Sequence, residues 1–109
     1  MCIRDRVKTR GDLHGGLVCQ AYLANMLAAY GADELLGYRY RFSSYSEERT
    51  ALDWMSGRVA RELRVGLLVN PRWAPLRSRT RDRLAADFEL VEQEHWGEVR
   101  LLVYEQAPR

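Results

Sequence analysis

The chain has 109 residues, 47% of them hydrophobic, which fits one globular domain or part of one and excludes an intrinsically disordered chain. Its 17 basic and 15 acidic residues leave a formal net charge of +2, too balanced to argue for nucleic acid or an anionic membrane surface as a partner. Cys2 and Cys19 are too few and too far apart to set a disulfide framework or a metal site, and no apolar run approaches the length of a membrane span.

Met1–Arg6, MCIRDR, resembles translated sequencing adapter, so these residues are expected to lie outside the native protein. Val7–Gly16 is polar and glycine-containing and reads as a linker. The expected division is therefore a non-native or linker N-terminus over residues 1–15 and a single small α/β domain over 16–107, the C-terminal part of a longer protein. Gly16–Gln20 is a short strand candidate, in which Cys19 reads as a buried small hydrophobe. Leu23, Met26, Leu27 and Tyr30 then fall on one helix face, with Gly31 placed to cap its end.

Glu34–Phe42 alternates, with Tyr38, Tyr40 and Phe42 on one side of a strand and Arg39 and Arg41 on the other. Ser44 precedes Glu47 at capping-box spacing. Leu52, Met55, Val59 and Leu63 recur at helical spacing, and Glu47, Glu48, Arg49, Asp53, Arg58 and Arg61 fill the sides expected to be exposed. Gly57 costs this helix about 1 kcal/mol relative to alanine, which suggests a close packing contact.

Val65–Val69 is an apolar run of strand length stopped by Asn70-Pro71, and reads as a strand buried on both faces. Leu76, Thr80, Leu84 and Phe88 lie about a helical turn apart. A hairpin turning at Trp96-Gly97 closes the chain, with Val99, Leu101 and Val103 on one face of its return strand and Leu102 and Tyr104 on the other. The order β-α-β-α-β-α-β-β predicts a three-layer α/β domain. Its sheet is expected to be mostly parallel and Rossmann-like, to flank Val65–Val69 with parallel neighbours, and to end in an antiparallel hairpin.

The candidate sites are sparse. Asp12-Leu13-His14-Gly15-Gly16 is glycine-rich but precedes its strand, whereas a phosphate cradle lies between a strand and a helix, so a linker is the better reading. His95 near Glu92 and Glu94 has no recognisable nucleophile or orienting group beside it, and reads as a solvated turn. Arg77, Arg79, Arg81 and Arg83, with Arg72 upstream, spread around a helix instead of forming one basic stripe. Arg39 and Arg41 need either an edge strand or carboxylates such as Glu47 or Glu48, with a polyanionic ligand as the third option. Trp54, Trp73 and Trp96 read as core or rim aromatics. Trp73, with Arg72, also occupies the loop after a strand's carboxyl end, where open α/β sheets bind ligands, and this is the expected contact loop. No catalytic, cofactor-binding or metal-ligating residue is expected within the chain.

Three stretches together carry a family resemblance: LVCQAYLANMLAAYG, YSEERTALDWMSGRVARELRVGLLVNPRW and FELVEQEHWGEVRLLVYE. They resemble the extracytoplasmic C-terminal domain of polytopic membrane glycosyltransferases of the dolichyl-phosphate-mannose–protein mannosyltransferase type, glycosyltransferase family 39 and its bacterial relatives. The closing pattern is Phe88, Leu90, Val91, Gly97, Val99, Leu101 and Tyr104, and the likeness spans about residues 16–106. It implies a parent enzyme of the bacterial inner membrane that transfers a sugar from a lipid-phosphate donor. In that setting this chain is a soluble domain partnered with the upstream membrane part of its own polypeptide, without nucleic acid, metal or cofactor. The family's catalytic acids lie near its first membrane helix and have no counterpart here. A C-terminal fragment of a class I methyltransferase, which also ends in strand, helix and antiparallel hairpin, is one alternative; a non-enzymatic α/β interaction module is another.

Overall fold

The computed structural model describes residues 11–29, 31–41, 45–72 and 75–108. Met1–Arg6, Tyr30, Phe42, Ser44 and Trp73, named above, lie outside them. Five strands and three helices follow in order: β1 (Leu17–Gln20), α1 (Ala21–Ala29), β2 (Leu36–Tyr40), α2 (Tyr45–Val59), β3 (Val65–Val69), α3 (Ser78–Asp87), β4 (Phe88–Trp96) and β5 (Val99–Gln106). The alternation expected from the sequence is present. The strands form one sheet in the order β2-β1-β3-β5-β4.

The sheet is mixed, which corrects the expectation of a mostly parallel one. β1 runs parallel to β2 and β3, while β5 is antiparallel to both β3 and β4. β3 therefore has one parallel and one antiparallel neighbour. The reason lies in the closing segment. A tight turn at Gly97-Glu98, with Gly97 at φ +67°, sends β5 straight back along β4. The crossover through α3 leaves β4 one strand beyond β3, and β5 fills the gap, so both of its edges are hydrogen-bonded.

The helices cover both faces. Leu23, Ala24 and Leu27 of α1 pack with Leu17, Cys19, Leu68, Leu101 and Val103 on one side. Leu52, Met55 and Val59 of α2 and Leu84 of α3 pack with Val18, Val65, Leu67, Val69 and Tyr104 on the other. All five residues of β3 are buried, as its unbroken apolar run requires. Gly31, at φ +69°, ends α1, and the Ala32 amide donates to the Leu27 carbonyl at 2.9 Å.

Three further expectations need correction. Gly11–Leu13, expected within a linker, is a 3-10 turn that places Leu13 in the core at 1% exposure. Arg58 holds the following loop, since its guanidinium donates to the carbonyls of His14, Gly15 and Arg64. Gly57 is not a packing contact, because a Cβ added there would meet nothing. The close approach is at Gly37, where a Cβ would run into the Gly15 carbonyl and the Trp54 ring, and where β2 shifts register against β1. Leu63 lies beyond the end of α2 and is exposed, because the chain leaves the helix through Glu62 at φ +62°.

Candidate functional site

The crossover from β1 to β2 runs through α1 on one face, whereas those from β2 to β3 and from β3 to β4 run through α2 and α3 on the other. The chain leaving β1 thus diverges from the chains leaving both of its neighbours. Such a switch point opens a crevice at the carboxyl ends of the strands.

The buried polar side chains gather at this edge. Among the described residues they are Gln20, Glu48, Asn70 and Thr80. Gln20 ends β1, Glu48 lies in the first turn of α2, Asn70 follows β3, and Thr80 lies in the first turn of α3. A core built for stability alone avoids such groups, so their concentration at one edge marks it as the candidate site.

Glu48 joins the two helices of its face. Its Oε1 accepts the Thr80 hydroxyl at 2.8 Å, and its Oε2 accepts Arg77 Nε at 2.8 Å. The Glu48 side chain is 1% exposed and that of Arg77 43%. This overturns the reading of Glu48 as a solvated residue and as a partner for Arg39 or Arg41. The signal was present in the sequence, since Glu48 stands four residues before Leu52 on the stripe that continues to Met55 and Val59. The Tyr40 phenol is pushed well above its ordinary pKa, first by burial and then by the Glu48 carboxylate, while the nearby Gln20 amide acts the other way. Gln20 acts on that phenol as a hydrogen-bonding neighbour, yet the contact falls short of hydrogen-bond geometry. By that criterion neither polar atom of its side chain has a partner among the described residues, although the residue is only 1% exposed. An unsatisfied buried amide costs about 1–3 kcal/mol. Asn70 is satisfied differently, its Oδ1 accepting the Arg72 amide at 3.2 Å to start the loop after β3.

Two clefts adjoin the sheet, one at its carboxyl edge and one running from the end of β3 along the α3 face. The first, of about 540 Å³, lies outside β1 and β2 and is polar, with Asn25 and Ala21 of α1, Tyr38, Arg39 and Arg41, and Thr50 of α2 in its wall. Of the options for Arg39 and Arg41, the edge position holds: β2 is an edge strand and both residues are exposed. Glu47 meets the backbone amide of Arg41 at 2.7 Å. The second cleft, of about 650 Å³, lies beside the end of β3 and is mostly apolar, lined by Val69, Pro71, Pro75, Leu84, Phe88 and Leu102, with Arg81 and Arg100 also in its wall.

The remaining sequence candidates disperse. Arg72 is exposed and ion-paired with Glu98 of the hairpin turn, which ties the contact loop to that turn. His95 is exposed on β4, opposite Arg100. The amides of His14, Gly15 and Gly16 all bond to backbone carbonyls and leave no anion cradle there. The arginine run is only partly solvated: Arg77 reaches Glu48, and Arg83 reaches Asp53 of α2 at 2.6 Å and Asp87 at 3.4 Å. Cys19 is a buried free thiol, pushed up to about 12 by burial, as its apolar context suggested.

No family model, curated protein or solved structure matches the chain. Among the described residues no three His, Cys, Asp or Glu side chains gather as a metal-binding group, and no helix is long and apolar enough to cross a membrane.

Proposed function

We propose that the chain is the C-terminal extracytoplasmic domain of a polytopic membrane glycosyltransferase that uses a lipid-phosphate sugar donor, with a structural or acceptor-side role and no catalysis of its own. The three stretches that carry the resemblance fall on β1 and α1, on α2 and β3, and on the β4-β5 hairpin. On this reading the mixed sheet is a Rossmann-like unit that has taken β5 in between β3 and β4.

The observation that supports an acceptor-side role is the apolar cleft beside the Asn70–Pro75 loop. One end of it, at Val69 and Pro71, reaches the carboxyl end of the fully buried β3, the position from which such sheets offer loops to ligands. The partner is then the upstream membrane part of the same polypeptide, and Arg72 and Trp73 are its contact residues. The methyltransferase alternative is weaker on the residues at the switch point: β1 runs through Gln20 into Ala21-Tyr22 without glycine, and β2 ends on Tyr40 and Arg41 instead of an acid.

Two measurements test the proposal. The gene upstream should encode several spans of roughly 20 apolar residues; a glycine-rich strand-turn-helix in their place would sink it. In the full-length parent, Arg72→Ala and Trp73→Ala should reduce transfer while expression and folding stay normal. Unchanged turnover and acceptor affinity would reduce the domain to a structural one.

A further inference from the structure

We propose that the crevice at the carboxyl ends of β1 and β2 binds the phosphate group of a small water-soluble ligand, with Arg39 and Arg41 as its charged contacts and the first turn of α1 as its backbone contact. The inference does not depend on which parent protein carries the domain.

Arg39 and Arg41 both face the polar cleft, and neither guanidinium has a hydrogen-bond or ion-pair partner among the described residues. A helix of nine residues, α1, begins at the same crevice with Ala21 in its wall, so its first-turn amides, which lack intrahelical acceptors, and the positive end of its dipole add to the two charges. The Thr50 hydroxyl and the Asn25 amide offer neutral contacts. Glu47 is the opposing charge, and one of its oxygens is engaged by the Arg41 amide. Two cations and a helix N-terminus outweigh it and favour a dianionic phosphate over a single carboxylate.

A second, independent mark is Gln20. It immediately precedes α1, pairs in register with Tyr40 of the cleft wall, is wholly buried, and beyond an imperfect contact with the Tyr40 phenol has neither amide atom in hydrogen-bond geometry with a described residue. A buried amide left short of hydrogen-bond geometry calls for a completing partner, of which a bound anion or its carried water is one. The polar lining suits a soluble phosphate ester over a lipid tail.

The test is an amide-shift titration of the ¹⁵N-labelled 109-residue chain with inorganic phosphate, chloride serving as the ionic-strength control and acetate as the carboxylate arm. Saturable phosphate shifts at Ala21–Leu23 and Arg39–Arg41 are expected, with acetate weaker. The Arg39→Ala/Arg41→Ala variant should lose about tenfold or more in affinity, and Arg81→Ala in the other cleft should lose none. Because Arg39 and Arg41 are exposed, the double variant should fold. The absence of saturable shifts up to about 10 mM phosphate, shifts that survive in the double variant, or shifts that follow Arg81 would each overturn the proposal.

Discussion

The two clefts adjoin one sheet, one at its carboxyl edge and the other along its α3 face, and differ in what surrounds them. Outside β1 and β2, neighbouring chains diverge to opposite faces, and the opening between them is lined by charged and polar side chains with an unsatisfied amide behind. Outside β3, the antiparallel β5 fills the next position and extends an apolar floor through Leu102 and Tyr104 under the edge of α3. Topology thus separates a place where polarity is tolerated from one where apolar surface is left over. On the readings proposed above, the first is the ligand opening and the second the docking surface.

β3 is the central strand of the sheet that carries both clefts, so the largest expected effect comes from Leu67→Asp. Leu67 is 2% exposed, and an unpaired buried carboxylate there costs several kcal/mol against a typical total of about 5–15. The variant should fail to give a cooperative melt by circular dichroism. A soluble, cooperatively melting Leu67→Asp would remove β3 from the centre of the account.

Glu48→Ala should come next, at roughly 2–3 kcal/mol in denaturant unfolding, because it leaves the buried Thr80 hydroxyl without its acceptor and removes the Glu48 contact of Arg77. It should also lower the Tyr40 pKa in spectrophotometric titration, since the carboxylate holds that phenol up. An unchanged Tyr40 titration would separate Glu48 from the site.

Alkaline pH should then weaken the fold. The Cys19 thiol moves from 9.0 to about 12, so the folded state holds its proton more tightly than the unfolded state does. That stability is complete below pH 9 and is lost as pH rises toward about 12, at roughly 1.4 kcal/mol per pH unit from this group. Tyr40 and Tyr104 shift in the same direction and add to the loss above their ordinary pKa of 10.0. Cys19→Ala, compared with wild type across that range, should flatten the first part of the slope. A parallel pair of curves would refute burial of the thiol. The smallest effect is expected from Arg39→Ala/Arg41→Ala, within about 0.5 kcal/mol in stability, as both residues are exposed and neither guanidinium has an ion pair or hydrogen bond among the described residues. A larger loss would make them structural.

What the sequence showed plainly was local. The alternation of strands and helices, the double-sided burial of β3 and the return strand's two faces follow from runs and periods of a few residues, and the structure keeps them. Strand order did not follow, because the position of β5 depends on where α3 delivers β4, a non-local fact. The candidate site was legible only in part. Arg39 and Arg41 stood out because alternation exposes them. Gln20 did not, because β1 is buried on both faces and has no polar period to interrupt. Glu48 was misplaced by residue type, although its spacing to Leu52 put it on the buried stripe.

The central claim is that the carboxyl edge of β1 keeps a polar group that the fold itself does not satisfy. Gln20→Leu tests it most directly, because the two side chains have similar volume and only the amide is removed. Chemical denaturation should show the variant to be more stable than wild type by about 1–2 kcal/mol, since an unsatisfied buried amide is replaced by an apolar side chain. A loss of stability of similar size would mean that the Gln20 amide is satisfied within the folded chain, and the claim would fail.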